Sequence, residues 1–215
     1  MKIMDVNLTG VMYTTHLAQY WLPKNPGSSD SSTTSDPSSP RDRHLLLLGS
    51  VASIGPIAIQ PQYCASKHAV LGLFRSLRAL TGLSGIRINM LLPYFIETPI
   101  VQPIARLALL GGAMGQVPDV VDAGTRLVCD SRILGRSIVI GPKMHVRQKD
   151  DGEWEVDGEG EVRSLWECCA EDWEDVESFN KFFIRALNLV QVGRGWGGWV
   201  KDLVGTGLYA VGLKK

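Results

Sequence analysis

Hydrophobic positions along this chain recur on two periods, and each period marks a kind of element. Residues 1–22 follow a helical spacing, with Leu8, Val11, Met12, Thr15 and Leu17 supplying a mostly apolar face. The run HLLLLGS is continuous and short, which predicts a buried strand ending at Ser50. PQYCASKHAVLGLFRSLRAL is amphipathic at helical spacing, and GIRINMLLPYFIETP predicts a second apolar strand that breaks at Pro93. Residues 44–142 therefore read as a β-α-β-α-β succession, an order that favours parallel pairing through right-handed crossovers.

Two stretches depart from this regularity. Residues 23–43, PKNPGSSDSSTTSDPSSPRDR, are rich in Ser, Pro and Asp. Such a segment buries too little apolar surface to offset its ordering entropy, so a disordered insertion is expected there. From 143 onward the chain exceeds what the β-α-β succession needs. KDDGEWEVDGEGEVR predicts a polar hairpin or loop turning at Asp157–Gly158. AEDWEDVESFNKFFIRALNLVQV predicts an amphipathic helix with Trp173, Val176, Phe179 and Phe183 on one stripe. The last stretch is apolar and broken by glycines. Its Trp196, Trp199 and Tyr209 suit a membrane interface, but a packed tail is the better reading. The organisation expected is thus residues 1–142 as one unit and 143–215 as an extension.

Composition narrows the function classes. The 22 basic and 22 acidic residues balance to zero, which gives no support for nucleic-acid binding. MKIMDVNLTG lacks the apolar centre of a signal peptide, and no uncharged apolar run reaches the length of a membrane span. The 4 cysteines, including the adjacent Cys168 and Cys169, show neither metal spacing nor a disulfide framework, so a cytoplasmic location is expected.

The chemistry concentrates around one helix. Tyr63 and Lys67 lie four residues apart, hence on one face, and Ser50 precedes Tyr63 at the end of its strand. A phenol titrates near ~10 in water, too high for a base at neutral pH, and an adjacent ammonium favours its anion. Alone, a Tyr-x-x-x-Lys spacing is unremarkable in a chain with 5 tyrosines. Here the preceding strand, the serine and the small Ala65 and Ser66 accompany it. A serine emerging at the carboxyl edge of a parallel sheet also stands where such folds bind ligands. His16 and His68 have no carboxylate pattern for metal or triad work, so structural roles are expected for both.

On these residues the stretch from Met4 to about Pro142 resembles the C-terminal half of the short-chain dehydrogenases/reductases, and YCASKHAVLG resembles the 15-hydroxyprostaglandin dehydrogenase branch and its fungal relatives. MDVNLTGVMYTTHLA resembles the helix that contributes an asparagine, which implies that Asn7 helps hold a proton-relay water. The resemblance implies Ser50 as the substrate-positioning group, Tyr63 as acid/base and Lys67 as its helper and ribose ligand. IRINMLLPYFIETP resembles the strand ending in Pro-Gly-x-x-x-Thr. That likeness implies Pro93 and Thr98 at the nicotinamide, with Tyr94 in place of the usual glycine. VVDAGTRLVCDSRILGRSIVIGP resembles the last helix and the last strand, Arg136 to Gly141.

The fold class expected is α/β: a partial Rossmann-like fold, doubly wound on a parallel sheet, with a C-terminal helical extension. It lacks the N-terminal nucleotide-binding half, because no glycine-rich strand–turn–helix precedes Asn7 and VGRGWGGWV does not replace one. The function implied is NAD- or NADP-dependent oxidation of a secondary alcohol or reduction of a ketone. PIVQPIARLALLGGAMGQVP occupies the place of an apolar substrate lid, which points to a lipophilic substrate, although core packing explains the same residues. A small molecule and a further copy of the chain are the partners implied. Two alternatives stay open: a truncated, inactive chain acting at most in protein interaction, and a sister reaction such as epimerisation or dehydration.

Overall fold

The computed structural model describes residues 2–24, 42–101, 113–170 and scattered helical positions between 179 and 204. Most of the Ser/Pro-rich insertion, the centre of the expected lid, and Trp173, Val176, Trp199 and Tyr209 lie outside the described residues. The chain divides into two compact units, Met1–Ala170 and Glu171–Lys215.

The first unit is built on a five-stranded sheet. Strands β1 (His44–Leu48), β2 (Arg87–Pro93) and β3 (Ser137–Gln148) are parallel neighbours, with Leu48 opposite Leu91 and Pro93 opposite Ile140. Helix α1 covers residues 2–21 and precedes β1. Helix α2 (Pro61–Leu83) joins β1 to β2, and α3 (Val117–Cys129) precedes β3. This is the mixed α/β architecture with a mainly parallel sheet that the β-α-β order predicts.

Burial on both sides of β2 explains why it reads as an unbroken apolar run. On one side Ile88, Met90 and Leu92 meet Leu47 and the α2 residues Val70, Leu71, Phe74 and Leu77. On the other, Leu91 meets Ile140 and the α3 residues Ala123 and Leu127. Helix α1 packs on the α2 side through Leu8 and Val11, with Thr15 fully buried. Met12 and Leu17, expected on the same face, are exposed. The inner face is the row Met4, Asn7, Leu8, Val11, Thr15 and Ala18, which keeps a strict helical spacing that Met12 and Leu17 fall outside.

The region after 142 does not begin a separate body. Strand β3 overruns its expected end at Gly141 and continues to Gln148, and β4 (Trp154–Val156) and β5 (Glu161–Cys168) both pair with it antiparallel. Val146 pairs with Val156 on one side and Glu161 on the other, so the predicted polar hairpin straddles β3 instead of folding on itself. Gly160 makes the turn between them possible: a Cβ there would strike the Val146 backbone. In the second unit Phe179 and Phe183 are helical, with rings stacked at 6.0 Å, as the aromatic stripe predicts. Gly193, Gly195, Gly197 and Gly198, in and beside the stretch read as broken by glycines, also stand at helical positions. Glycine costs a helix about 1 kcal/mol per residue and does not forbid it.

Where β1 meets β2, His44 has an unusual environment. Asn89, fully buried, accepts the Arg136 N–H on its side-chain oxygen and donates from its amide nitrogen to the Ile133 carbonyl. Those two bonds fix the amide's orientation, so its contact at 3.0 Å is a donation to His44 Nε2. Burial, and secondarily the Arg87 cation, hold this imidazole below its ordinary value of 6.5. The unfolded chain therefore binds more protons than the folded one as pH falls from 6.5 towards the folded value, and stability declines across that window. His44→Gln, which keeps an acceptor for Asn89, is expected to flatten this decline in urea midpoints measured against pH. An unchanged slope would assign the acid sensitivity to another group.

Candidate active site

Ser50 reaches the carboxyl edge of the sheet through a glycine that nothing larger replaces without displacement. Gly49 donates its N–H to Leu91, extending the ladder by one residue. A Cβ on it would fall 2.5 Å from Leu92 Cδ2 and 2.9 Å from Ser53 Oγ. Beyond it, Ser50 caps the short 3-10 turn Val51–Ser53 in a reciprocal arrangement. The Ala52 N–H donates to Ser50 Oγ at 3.2 Å, and the Ser50 N–H donates to Ser53 Oγ at 3.2 Å. Ser50 Oγ in turn donates to the Pro93 carbonyl at 3.4 Å. The ends of β1 and β2 are thus tied at the serine. The fully buried Ser53 was not singled out from the sequence. Its three-residue spacing from Ser50 is the signal that would have found it.

Helix α2 delivers the other groups. Tyr63 sits in its first turn, and Lys67 follows one turn on, with its Nζ 5.7 Å from the Tyr63 ring centroid. Lys67 Nζ donates to the Leu48 carbonyl at 3.0 Å, which brings the α2 ammonium to the same strand end as Ser50. Burial pushes the Lys67 ammonium below the usual lysine range. Cys64 Sγ brackets Ile57, taking its N–H at 3.2 Å and meeting its carbonyl at 3.7 Å. That contact ties the Ser50–Tyr63 connection to the helix. Within the connection Ile59 holds φ 69°, a left-handed conformation uncommon for a β-branched residue, with its side chain exposed. His68 spends Nδ1 on the Cys64 carbonyl at 2.9 Å, an intrahelical contact in keeping with a structural role.

Asn7 occupies a π-helical turn, Asp5–Thr9, inside α1. Such one-residue bulges recur at functional sites because they re-aim a side chain. Its amide donates to Ser66 Oγ at 3.3 Å, and Ser66 donates to the Tyr63 carbonyl at 2.7 Å. Asn7 is therefore joined to the Tyr63 turn through Ser66, a residue read from the sequence only as small. On β2, Pro93 closes the strand and Tyr94 donates its N–H to Ile140 at 2.8 Å, its ring set edge-on to Phe95 at 5.0 Å. Thr98 is half-buried five residues beyond Pro93, and its carbonyl takes the Val101 N–H at 3.1 Å. Among the described residues no cluster of His, Cys, Asp or Glu has metal-site geometry, and no helix is long and apolar enough to cross a membrane.

Comparison with known proteins bears on this geometry. The model of the short chain dehydrogenase family matches residues 43–107, the stretch that holds Ser50, Tyr63, Lys67, Pro93 and Thr98. The 5'-hydroxyaverantin dehydrogenase of Dothistroma septosporum is 35% identical over 159 residues, covering 71% of this chain and 49% of that protein. The chain belongs to the short-chain dehydrogenase/reductase family. The 15-hydroxyprostaglandin dehydrogenase [NAD(+)] of Rattus norvegicus is 31% identical over 112 residues, covering 51% of this chain and 38% of that enzyme. Both the fungal and the prostaglandin-dehydrogenase likeness expected from YCASKHAVLG are thus found. A short-chain type dehydrogenase/reductase from Mycobacterium marinum aligns with a TM-score of 0.52 at 25% identity, covering 65% of this chain and 54% of that one. The chain spans about half the length of the 5'-hydroxyaverantin dehydrogenases it matches.

Proposed function

We propose that this chain carries the catalytic half of an NAD- or NADP-dependent oxidoreductase that interconverts a secondary alcohol and a ketone. One observation carries the reading: a single strand end receives both Lys67, through the Leu48 carbonyl, and Ser50, tied to Pro93 on the neighbouring strand. A cation, a hydroxyl and a phenol one turn from the cation are the groups that proton transfer to or from a carbinol requires. Relatives named as dehydrogenases, among them NADP-dependent and NAD(+)-using proteins, support the same class.

The residues present fit the nicotinamide–ribose end of such a cofactor. Lys67 offers a half-buried ammonium at the sheet edge, and the half-buried Thr98 follows Pro93. Tyr63, Lys67, Pro93 and Thr98 are the residues we assign to that end. Among the described residues there is no glycine-rich strand–turn–helix to cradle the diphosphate. When bound, the nicotinamide dinucleotide accepts or returns the hydride. Tyr63 takes the hydroxyl proton of the substrate, or gives it back. Lys67 places a positive charge beside that phenol, and Ser50 holds the substrate oxygen in register with it, an orienting as well as an electrostatic contribution. Asn7 orders the Tyr63 turn through Ser66.

Two finer points belong to the same reading. Ile54 and Ile59 are exposed beside the Ser50 turn, which supports a lipophilic substrate. On the outer face of α1, Val6, Tyr13 and Tyr20 recur every seven residues with Leu17 between them, all exposed, which supports pairing with a second copy. Fluorescence titration of the full chain with NADH, followed by turnover assays on a panel of secondary alcohols, tests the proposal. Saturable binding with turnover is expected. Absence of binding in a folded protein would favour the inactive interaction-protein reading.

A further inference from the structure

Cys168 ends β5 and Cys169 follows it, their sulfurs 3.4 Å apart, although successive side chains of an extended segment normally point to opposite faces. What brings the sulfurs together is the backbone of Cys169, held at φ 56°, a left-handed conformation uncommon outside glycine. Both residues are half-buried, and neither is in a disulfide. Their carbonyls are the anchors of the strand end. Ser137 Oγ donates to the Cys168 carbonyl, tying β5 to β3. Arg78 Nη1 donates to the Cys169 carbonyl at 3.1 Å, tying it to α2, and this guanidinium is itself buried. The pair lies immediately before Ala170, the last residue of the first compact unit.

We propose that Cys168 and Cys169 form a reversible two-electron redox site, oxidised by a small-molecule disulfide such as oxidised glutathione, whose closure releases the end of β5. The balance is simple. The thiolate of one cysteine displaces one glutathione from the disulfide, and the neighbouring thiolate then displaces the second. One S–S bond breaks and one forms, two electrons pass to the glutathione sulfurs, and the two cysteine protons leave on two glutathione thiols.

Geometry dictates what closure does. A trans peptide holds consecutive Cα atoms about 3.8 Å apart, short of the roughly 4.4–6.8 Å that disulfides ordinarily span. Closing the eight-membered ring therefore strains and twists the peptide between the two residues. That peptide contains the Cys168 carbonyl that Ser137 holds, and the Cys169 carbonyl that Arg78 holds stands on the adjoining one. A bridge strained in this way is easily reduced, which suits a switch and not a permanent staple. Arg78 lies three turns along α2 from Lys67, so the helix bearing the candidate catalytic groups senses the change directly.

The test equilibrates the full chain with glutathione buffers of rising oxidised fraction, blocks remaining thiols by alkylation, and maps peptides by mass spectrometry. The expected result is a peptide containing Cys168 and Cys169 that is 2 Da lighter, takes no alkyl group, and returns to two alkylations after dithiothreitol. Hydrogen exchange on the same samples is expected to show amides of Glu161–Cys168 exchanging at least about tenfold faster after oxidation. Full alkylation of both cysteines at every ratio, a stable glutathione adduct without ring closure, or bridging to Cys64, Cys129 or a second chain would each overturn the site. Ring closure without faster exchange would overturn the release. Both measurements use the unaltered chain, and Cys169→Ser, expected to stop at the glutathione adduct, serves as the control.

Discussion

Tyr63→Phe is expected to lower kcat/KM for a secondary alcohol by about 10³-fold, within the range that a positioned general acid/base contributes. The substitution removes one oxygen and keeps the ring. The Tyr63 carbonyl that Ser66 holds at 2.7 Å is backbone and survives. So does the Lys67–Leu48 bond at 3.0 Å. NADH affinity should accordingly change by less than about threefold, which separates lost proton transfer from lost binding. Paired fluorescence titrations and initial rates measure both. If Tyr63→Phe turned over the substrate at the rate of the unaltered chain, the phenol would not be the acid/base and the proposed mechanism would fail. Loss of NADH binding alongside activity would instead mean that the phenol holds the cofactor, so that lost binding and lost proton transfer are not separated.

The second large effect is on stability. Arg87 opens β2 with only 8% of its surface exposed, and its guanidinium is saturated by partners from two directions. Nε donates to Asp42 at 2.7 Å and Nη2 pairs with the same carboxylate. Nη1 reaches the carbonyls of Leu127 and Ile133 at 2.9 Å and of Asp130 at 3.2 Å, while Nη2 reaches Val128 at 3.1 Å. Several of these carbonyls end α3, where a helix has no internal donors left and where a cation also meets the negative end of its dipole. Arg87→Met preserves much of the volume and deletes every donor. A loss of about 3 kcal/mol in unfolding free energy is expected, since buried carbonyls left without partners cost on the order of 1–3 kcal/mol each and water reaches some of them. Urea denaturation measures it. The same arginine holds the Asp42 carboxyl below its ordinary value of 3.8. Its stabilising share is therefore present above that pH and fades as pH falls through the folded value. A shift below ~0.5 kcal/mol, the usual size of a surface substitution, would show that Arg87 is not the hub its contacts describe.

Local chemistry explains what was legible in the residues alone. The four-residue step from Tyr63 to Lys67 fixes a shared helix face whatever the helix packs on. The run HLLLL followed by Gly49 and Ser50 marks a strand and its end, and Pro93 marks the end of the next. Each of these is a short-range property, so the parallel pairing of β1, β2 and β3 could be anticipated. α1 shows where this fails. Its inner face was half right, because Met12 and Leu17 are apolar but stand off the row that the buried positions define.

Tertiary structure alone decided the rest, because it depends on partners distant in the chain. Nothing local distinguishes Arg87 from a surface arginine until the end of α3 folds back onto it. Ser53 and Ser66 are unremarkable until one caps Ser50 and the other receives Asn7 from 59 residues away. The polar stretch after Gly141 has no apolar face to announce a strand, yet β3 runs on to Gln148 and lends it hydrogen-bonding edges on both sides. Two neighbouring cysteines become a candidate redox site only when a left-handed backbone at Cys169 turns their sulfurs together. Periodicity records which residues a segment buries, whereas these contacts arise from what the segment meets once buried.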